Sequence, residues 1–142
     1  MDQCIICSPA EDVLVFRDER GTVLLDGPVR PGHVLVGANI HAPFLHDITG
    51  ESAAELLSLS QVVAKIIVEQ TGAEKVYVVA IGDKDKHFHF HLVPKFAADA
   101  SLGPYVFGAN GWAGTFESAA ESGEKAQKRI TDAIAGTLGD GN

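Results

Sequence analysis

The stretch His87-Phe88-His89-Phe90-His91-Leu92-Val93-Pro94-Lys95 decides how the rest of the chain is read. Three histidines alternate with large apolar residues, the period of two that a half-buried β-strand imposes. On such a strand His87, His89 and His91 share one face, and Phe88, Phe90 and Leu92 share the other. With a rise of roughly 3.3–3.4 Å per residue, the imidazoles would stand about 6.6–7 Å apart. Half of the chain's six histidines sit here, and a packed core has no use for such a row. The pattern marks a functional face. Pro94 has no N–H to give to a ladder and is expected to end the pairing.

Working outward, the 142 residues fit one domain (1–142, with a core at about 4–95), and 46% hydrophobic content supports a buried core. The formal charge of −8 argues against a general nucleic-acid binder, which needs a cationic footprint. An anionic substrate must then be met by local donors. No apolar run approaches the roughly 18–20 residues of a membrane helix, and Met1-Asp2-Gln3 does not open like a signal peptide, so a cytoplasmic protein is expected. The two cysteines, Cys4 and Cys7, offer no disulfide framework; inside a cell such a pair is half a zinc site or a redox couple.

Val13–Phe16 and Thr22–Leu25 read as strands of a hairpin turning at Asp18-Glu19-Arg20-Gly21. His33–Val36 is a third strand after the turn-rich Asp26-Gly27-Pro28 and Pro31-Gly32. From Gly50 to about Gln70 the spacing turns helical, with Leu56, Leu59, Val63, Ile66 and Ile67 on one stripe, Thr49 as N-cap and Gly72 as stop. Val76–Ile81 reads as a central strand, and a short loop, Gly82 to Lys86, delivers the histidines. Beyond Lys95 comes a loop-like stretch with Tyr105, Phe107, Trp112 and Phe116. A weakly helical segment follows from Glu117, with Ile130, Ile134 and Leu138 one turn apart and a fraying end. The expected class is α+β: an antiparallel sheet of about five strands, helices on one side, and residues 96–142 as an extension.

His-Phe-His-Phe-His-Leu-Val at 87–93 resembles the signature of the histidine-triad family in every position. Arg30-Pro31-Gly32-His33-Val34-Leu35-Val36 resembles the family's Pro-Gly-His strand, and Cys4-Ile5-Ile6-Cys7 the opening of its zinc-bearing bacterial members. The likeness runs from about Cys4 to Lys95. It implies the family's α+β fold and a homodimer formed by pairing two sheets and their main helices. It also implies a nucleotide as small-molecule substrate, cleaved by hydrolases or transferases that act on dinucleoside polyphosphates and nucleoside phosphoramidates.

The residue roles implied are these. His89 is the nucleophile that forms a nucleotidyl intermediate, His91 its phosphate- and proton-handling partner, and His33 the hydrogen-bonding neighbour of His91. The chemistry is reasonable in itself, since neutral imidazole is a competent nucleophile near pH 7. Asp26 lies where many members bind the ribose hydroxyls, although before Gly27-Pro28 it equally suits a turn. Cys4 and Cys7 supply half of a tetrahedral zinc site. Zinc-bearing relatives, including the uridylyltransferase branch, place the other ligands at His41 and His87. His46, five residues on, is the alternative to His41. A thioredoxin-like couple fits less well, because Ser8-Pro9 gives no helix to depress a thiol pKa.

One departure stands out. Active hydrolases of the family carry Gly-Gln-Ser or Gly-Gln-Thr before the triad, where this chain has Gly82-Asp83-Lys84. Asp83 repels a phosphate and Lys84 attracts one. Two other classes of function stay open at this point: a zinc-stabilised nucleotide-binding module without turnover, and a metal-dependent redox site of cupin type using the His-x-His strand.

Overall fold

A computed structural model describes residues 4–97 and 123–140. Five strands form one antiparallel sheet: β1 (Leu14–Asp18), β2 (Gly21–Leu24), β3 (Val34–Gly37), β4 (Lys75–Val79) and β5 (His89–Lys95). Their spatial order is β1-β2-β3-β5-β4. Helix α1 (Gly50–Thr71) covers one face of the sheet, and α2 (Gly123–Asp140) packs against α1 and β1. One core joins the three layers. Val23, Val34, Val36 and Leu92 from the sheet meet Leu56, Leu59, Val63, Ile66 and Ile67 of α1, and Ile130 and Ile134 of α2.

The helix is delimited as its sequence requires. The Thr49 hydroxyl accepts from the Ser52 N–H at 3.0 Å, and Gly72 closes the C-terminus at φ 73°, a left-handed conformation that costs glycine little. The hairpin turns through Glu19-Arg20 alone, with Asp18 opposite Gly21. A Cβ on Gly21 would lie 2.5 Å from the carbonyl oxygen of Gly37, so only glycine lets these strands pass.

Four expectations are corrected. The strand ending near Ile81 is an edge of the sheet among the described residues, since β4 pairs only with β5; its β-branched run fits burial by α1 on one face as well as it fits a central position. Pro94 does not end β5. It stands opposite Val76, while pairing with β3 has already stopped at Leu92. In an antiparallel ladder a residue's N and O point the same way, and the Pro94 carbonyl accepts from Arg30 Nη1 at 3.1 Å on the β3 side. The missing N–H therefore interrupts no ladder. The histidine strand starts at His89, with His87 just before it. Helix α2 still includes Gly139 and Asp140 where fraying was expected, while the expected start at Glu117 lies outside the described residues. The aromatic stretch Tyr105–Phe116 lies outside the described residues.

Candidate active site and metal centre

The sheet face away from α1 carries the histidines. Leu35 pairs with His91 and Gly37 with His89, so β3 and β5 present them side by side. Phe88, Phe90 and Leu92 join the core on the other face. Alternation thus works as the sequence suggests, but the rings lean together: the His89 and His91 centroids are 5.0 Å apart, shorter than the strand repeat.

Hydrogen bonds fix the tautomers. The His89 Nδ1–H donates to the His87 carbonyl at 2.7 Å, because that oxygen can only accept. Nε2 of His89 therefore carries the lone pair. The Val29 N–H donates to His33 Nδ1 at 2.9 Å, so His33 holds its proton on Nε2 and donates it to His91 Nδ1 at 3.1 Å. His91 is left with its proton on Nε2. Burial, and then the neighbouring His91, pushes the pKa of His33 down to about 3. Burial and His89 push His91 down to about 4, against a smaller upward pull from Asp85. Near neutral pH both rings are uncharged, a donor relay aimed along the sheet.

His89 and His91 line a cleft of about 450 Å³ together with Ile5, Asp26, Gly27, Leu35, Ile81, Gly82, Asp83, Lys84 and Asp85. The structure thus brings together His89, His91, Asp26 and Lys84, with His33 directly behind His91. Among the described residues, three carboxylates and one ammonium make the cleft wall acidic, and Lys84 is its one side-chain cation. A larger cavity of about 520 Å³, between the β2–β3 loop and the start of α2, contains none of the histidines. Convergent polar groups, not volume, identify a reactive site, and they converge in the smaller cleft.

His87 turns away from its two neighbours to a second cluster. Its Nε2–H donates to the Ala38 carbonyl at 2.6 Å, which leaves Nδ1 as the acceptor and ligand atom. Nδ1 lies 3.3 Å from Cys4 Sγ, 3.4 Å from Cys7 Sγ and 3.2 Å from His41 Nδ1, while Cys7 Sγ to His41 Nδ1 is 3.3 Å. These four side chains can hold a metal ion. Bonds of about 2.0–2.1 Å to nitrogen and about 2.3 Å to sulfur give tetrahedron edges of ~3.3 Å (N···N) and ~3.5 Å (N···S), which these four distances match, and all four ligand atoms lie within 4.8 Å of one another. Burial and Cys4 raise the Cys7 thiol pKa, with Arg17 opposing; a bound cation reverses that balance. His46 is outside the cluster, with its side chain 80% exposed and its ring stacked on Phe44.

Sequence reasoning missed Arg17, Ile5 and Asp85. Arg17 donates to the carbonyls of Ile6 and Cys7 and, at 2.9 Å, to the Thr22 hydroxyl, pinning the cysteine loop to β2. Its only signal was a cation closing the apolar run Val13–Phe16. Ile5 is hidden between two ligands, and nothing in its identity marks it.

The sequence pattern of the HIT domain matches residues 8–98, about two-thirds of the chain. The chain belongs to the HIT domain family. It is 33% identical over 81 residues to the adenosine 5'-monophosphoramidase of Schizosaccharomyces pombe (54% of this chain, 58% of that protein). It is 26% identical over 110 residues to the AP-4-A phosphorylase of Mycobacterium tuberculosis (66% of this chain, 56% of that protein). The chain thus spans less than three-fifths of the length of these relatives. A Zn-bound histidine triad family protein from Mycobacterium smegmatis superposes with a TM-score of 0.67 at 21% identity, over 95% of this chain and 92% of that one, and shares the fold.

Proposed function

We propose that this HIT-family chain is a nucleotide hydrolase or transferase that releases a nucleoside monophosphate from a leaving group through a covalent intermediate on His89. The observation that carries the reading is the tautomer of His89: its proton is held on Nδ1 by the His87 carbonyl, which leaves the Nε2 lone pair for attack, beside a neutral His91 in the same cleft. In the proposed reaction Nε2 bonds to phosphorus as the bond to the leaving group breaks, its electron pair departing with that group. Water then attacks phosphorus, the N–P bond breaks and its electrons return to Nε2. The proton that water releases neutralises the departed group. His91 donates from Nε2 to the phosphate oxygens, His33 keeps it in that tautomer, Asp26 accepts from the ribose hydroxyls, and Lys84 supplies a charged donor where relatives hold the phosphates with the polar Gln-Ser/Thr element.

The names of two relatives, a nucleoside phosphoramidase and a dinucleoside polyphosphate phosphorylase, support this substrate class. Zinc is the cation that the Cys2His2 donor set suits; held by Cys4, Cys7, His41 and His87 it would act structurally, all four positions being filled by protein. The edge of β4, which has no further strand among the described residues and leaves Val78 53% and Ile81 47% exposed, supports a homodimer joined there. Free thiols at Cys4 and Cys7 suit a cytoplasmic setting, and no helix among the described residues is long and apolar enough to cross a membrane. The test is incubation with adenosine 5'-phosphoramidate and with diadenosine polyphosphates: AMP release is expected, and His89→Asn should abolish it. A second reading, binding without turnover, draws on Asp83 and Asp85 lining the cleft. Tight AMP binding with no product from either substrate class would favour it.

A further inference from the structure

The metal cluster and the nucleotide cleft share more than proximity. Cys4 and Cys7 both belong to the cluster, while Ile5, between them, is a wall of the cleft beside Asp26, Gly27 and Leu35. Ile6 is fully buried against Leu24 and Leu35, the latter paired with His91. At the other end of the cluster, His87 offers Nδ1 to the thiols and its carbonyl to the His89 Nδ1–H. Two separate links therefore leave the same four side chains. One ends on a cleft wall, the other on the ring that carries the nucleophilic lone pair.

We infer that the Cys4–Cys7 loop is a positioning element for the nucleotide, with cation occupancy setting the affinity of the cleft through Ile5 and the tautomer of His89 through His87. This rests on the proposed nucleotide site. Without a cation, four electron-rich ligand atoms crowd within 4.8 Å of one another and two of them are thiols; separating them moves Ile5 and His87, because both are bonded into the same short segments. Arg17 is the second restraint on the loop, holding the carbonyls of Ile6 and Cys7. A residue that acts through Ile5 and one that acts independently can be told apart by additivity.

The test is titration of AMP into zinc-loaded protein and into chelator-stripped protein whose fold is verified by circular dichroism. Loaded wild type should bind at least roughly tenfold more tightly than stripped, with affinity restored by one equivalent of zinc. Ile5→Ala should keep its zinc and lose roughly 5- to 30-fold in affinity, the loss expected when a half-buried aliphatic wall is truncated. Stripping this variant should cost less than stripping wild type. If stripping unfolds the chain, Arg17→Gln in the loaded state replaces it: its loss should be smaller in the Ile5→Ala background. Nitrogen-15 shifts of the His89 ring should report one tautomer in loaded protein and a mixture when the loop is loosened. Equal affinities with and without zinc, or strictly additive losses, would overturn the inference. Absence of AMP binding to loaded wild type would instead refute the nucleotide reading beneath it.

Discussion

His33 and His91 lie one behind the other, and what separates them from surface histidines is that they stay neutral where free imidazole would charge. Their pKa values, about 3 and about 4 against 6.5 for the free group, give a sign that can be checked. Below pH 6.5 the unfolded chain takes up protons that the folded chain refuses, so stability is full above that pH and falls on acidification until the folded values are reached. The slope is up to about 1.4 kcal/mol per pH unit for each histidine, less for the half-buried His91. Urea melts between about pH 4.5 and 7 should show this, and His33→Asn should flatten the slope; an unchanged slope would mean that His33 protonates in the folded protein. Lys84 makes a second residue-scale case. If it meets the phosphate, Lys84→Ala should weaken AMP binding by about 1.5–3 kcal/mol, roughly 10- to 150-fold, with the fold intact. An unchanged dissociation constant would leave the phosphate to His91 and backbone amides.

At the scale of the element, the cysteine loop brings Cys4 and Cys7 to His41 and His87, four side chains that can hold a metal ion. Cys4→Ser should lower zinc content and melting temperature together, since forming the site contributes to folding free energy, whereas His46→Ala should change neither. Zinc content by mass spectrometry beside thermal melts decides it; metal-free wild type with normal melting would reject the site. The strands and α1 were legible in the sequence because their patterns are local: alternation in Phe88–Leu92, a stripe from Leu56 to Ile67, a cap at Thr49 and a stop at Gly72. The edge position of β4 was not, because pairing order is a long-range property and Val76–Val79 reads the same in either place. Pro94 misled for a related reason: whether a missing N–H matters depends on which neighbour the residue faces. The grouping of Cys4, Cys7, His41 and His87 came from motif likeness, while Arg17, Ile5 and Asp85 had no spacing to betray them.

At the scale of the whole molecule, α1 covers one sheet face and the other carries the histidines, while among the described residues β4 is the edge strand and pairs only with β5. If that edge pairs with a second copy, Val78→Lys should shift the protein toward monomer in sedimentation or light scattering while leaving zinc content unchanged. A monomeric wild type would contradict it. The central claim is that a covalent bond forms at His89, and intact mass of the protein, acid-free and quenched during turnover of adenosine 5'-phosphoramidate, tests it most directly. Wild type should carry an increment of one nucleoside monophosphate that acid removes, as it does from a phosphorus–imidazole bond. His91→Asn should label more slowly, and His89→Asn should bind AMP yet carry no increment. Labelling that persists in His89→Asn, or product formed by wild type with no adduct at any time, would contradict the account.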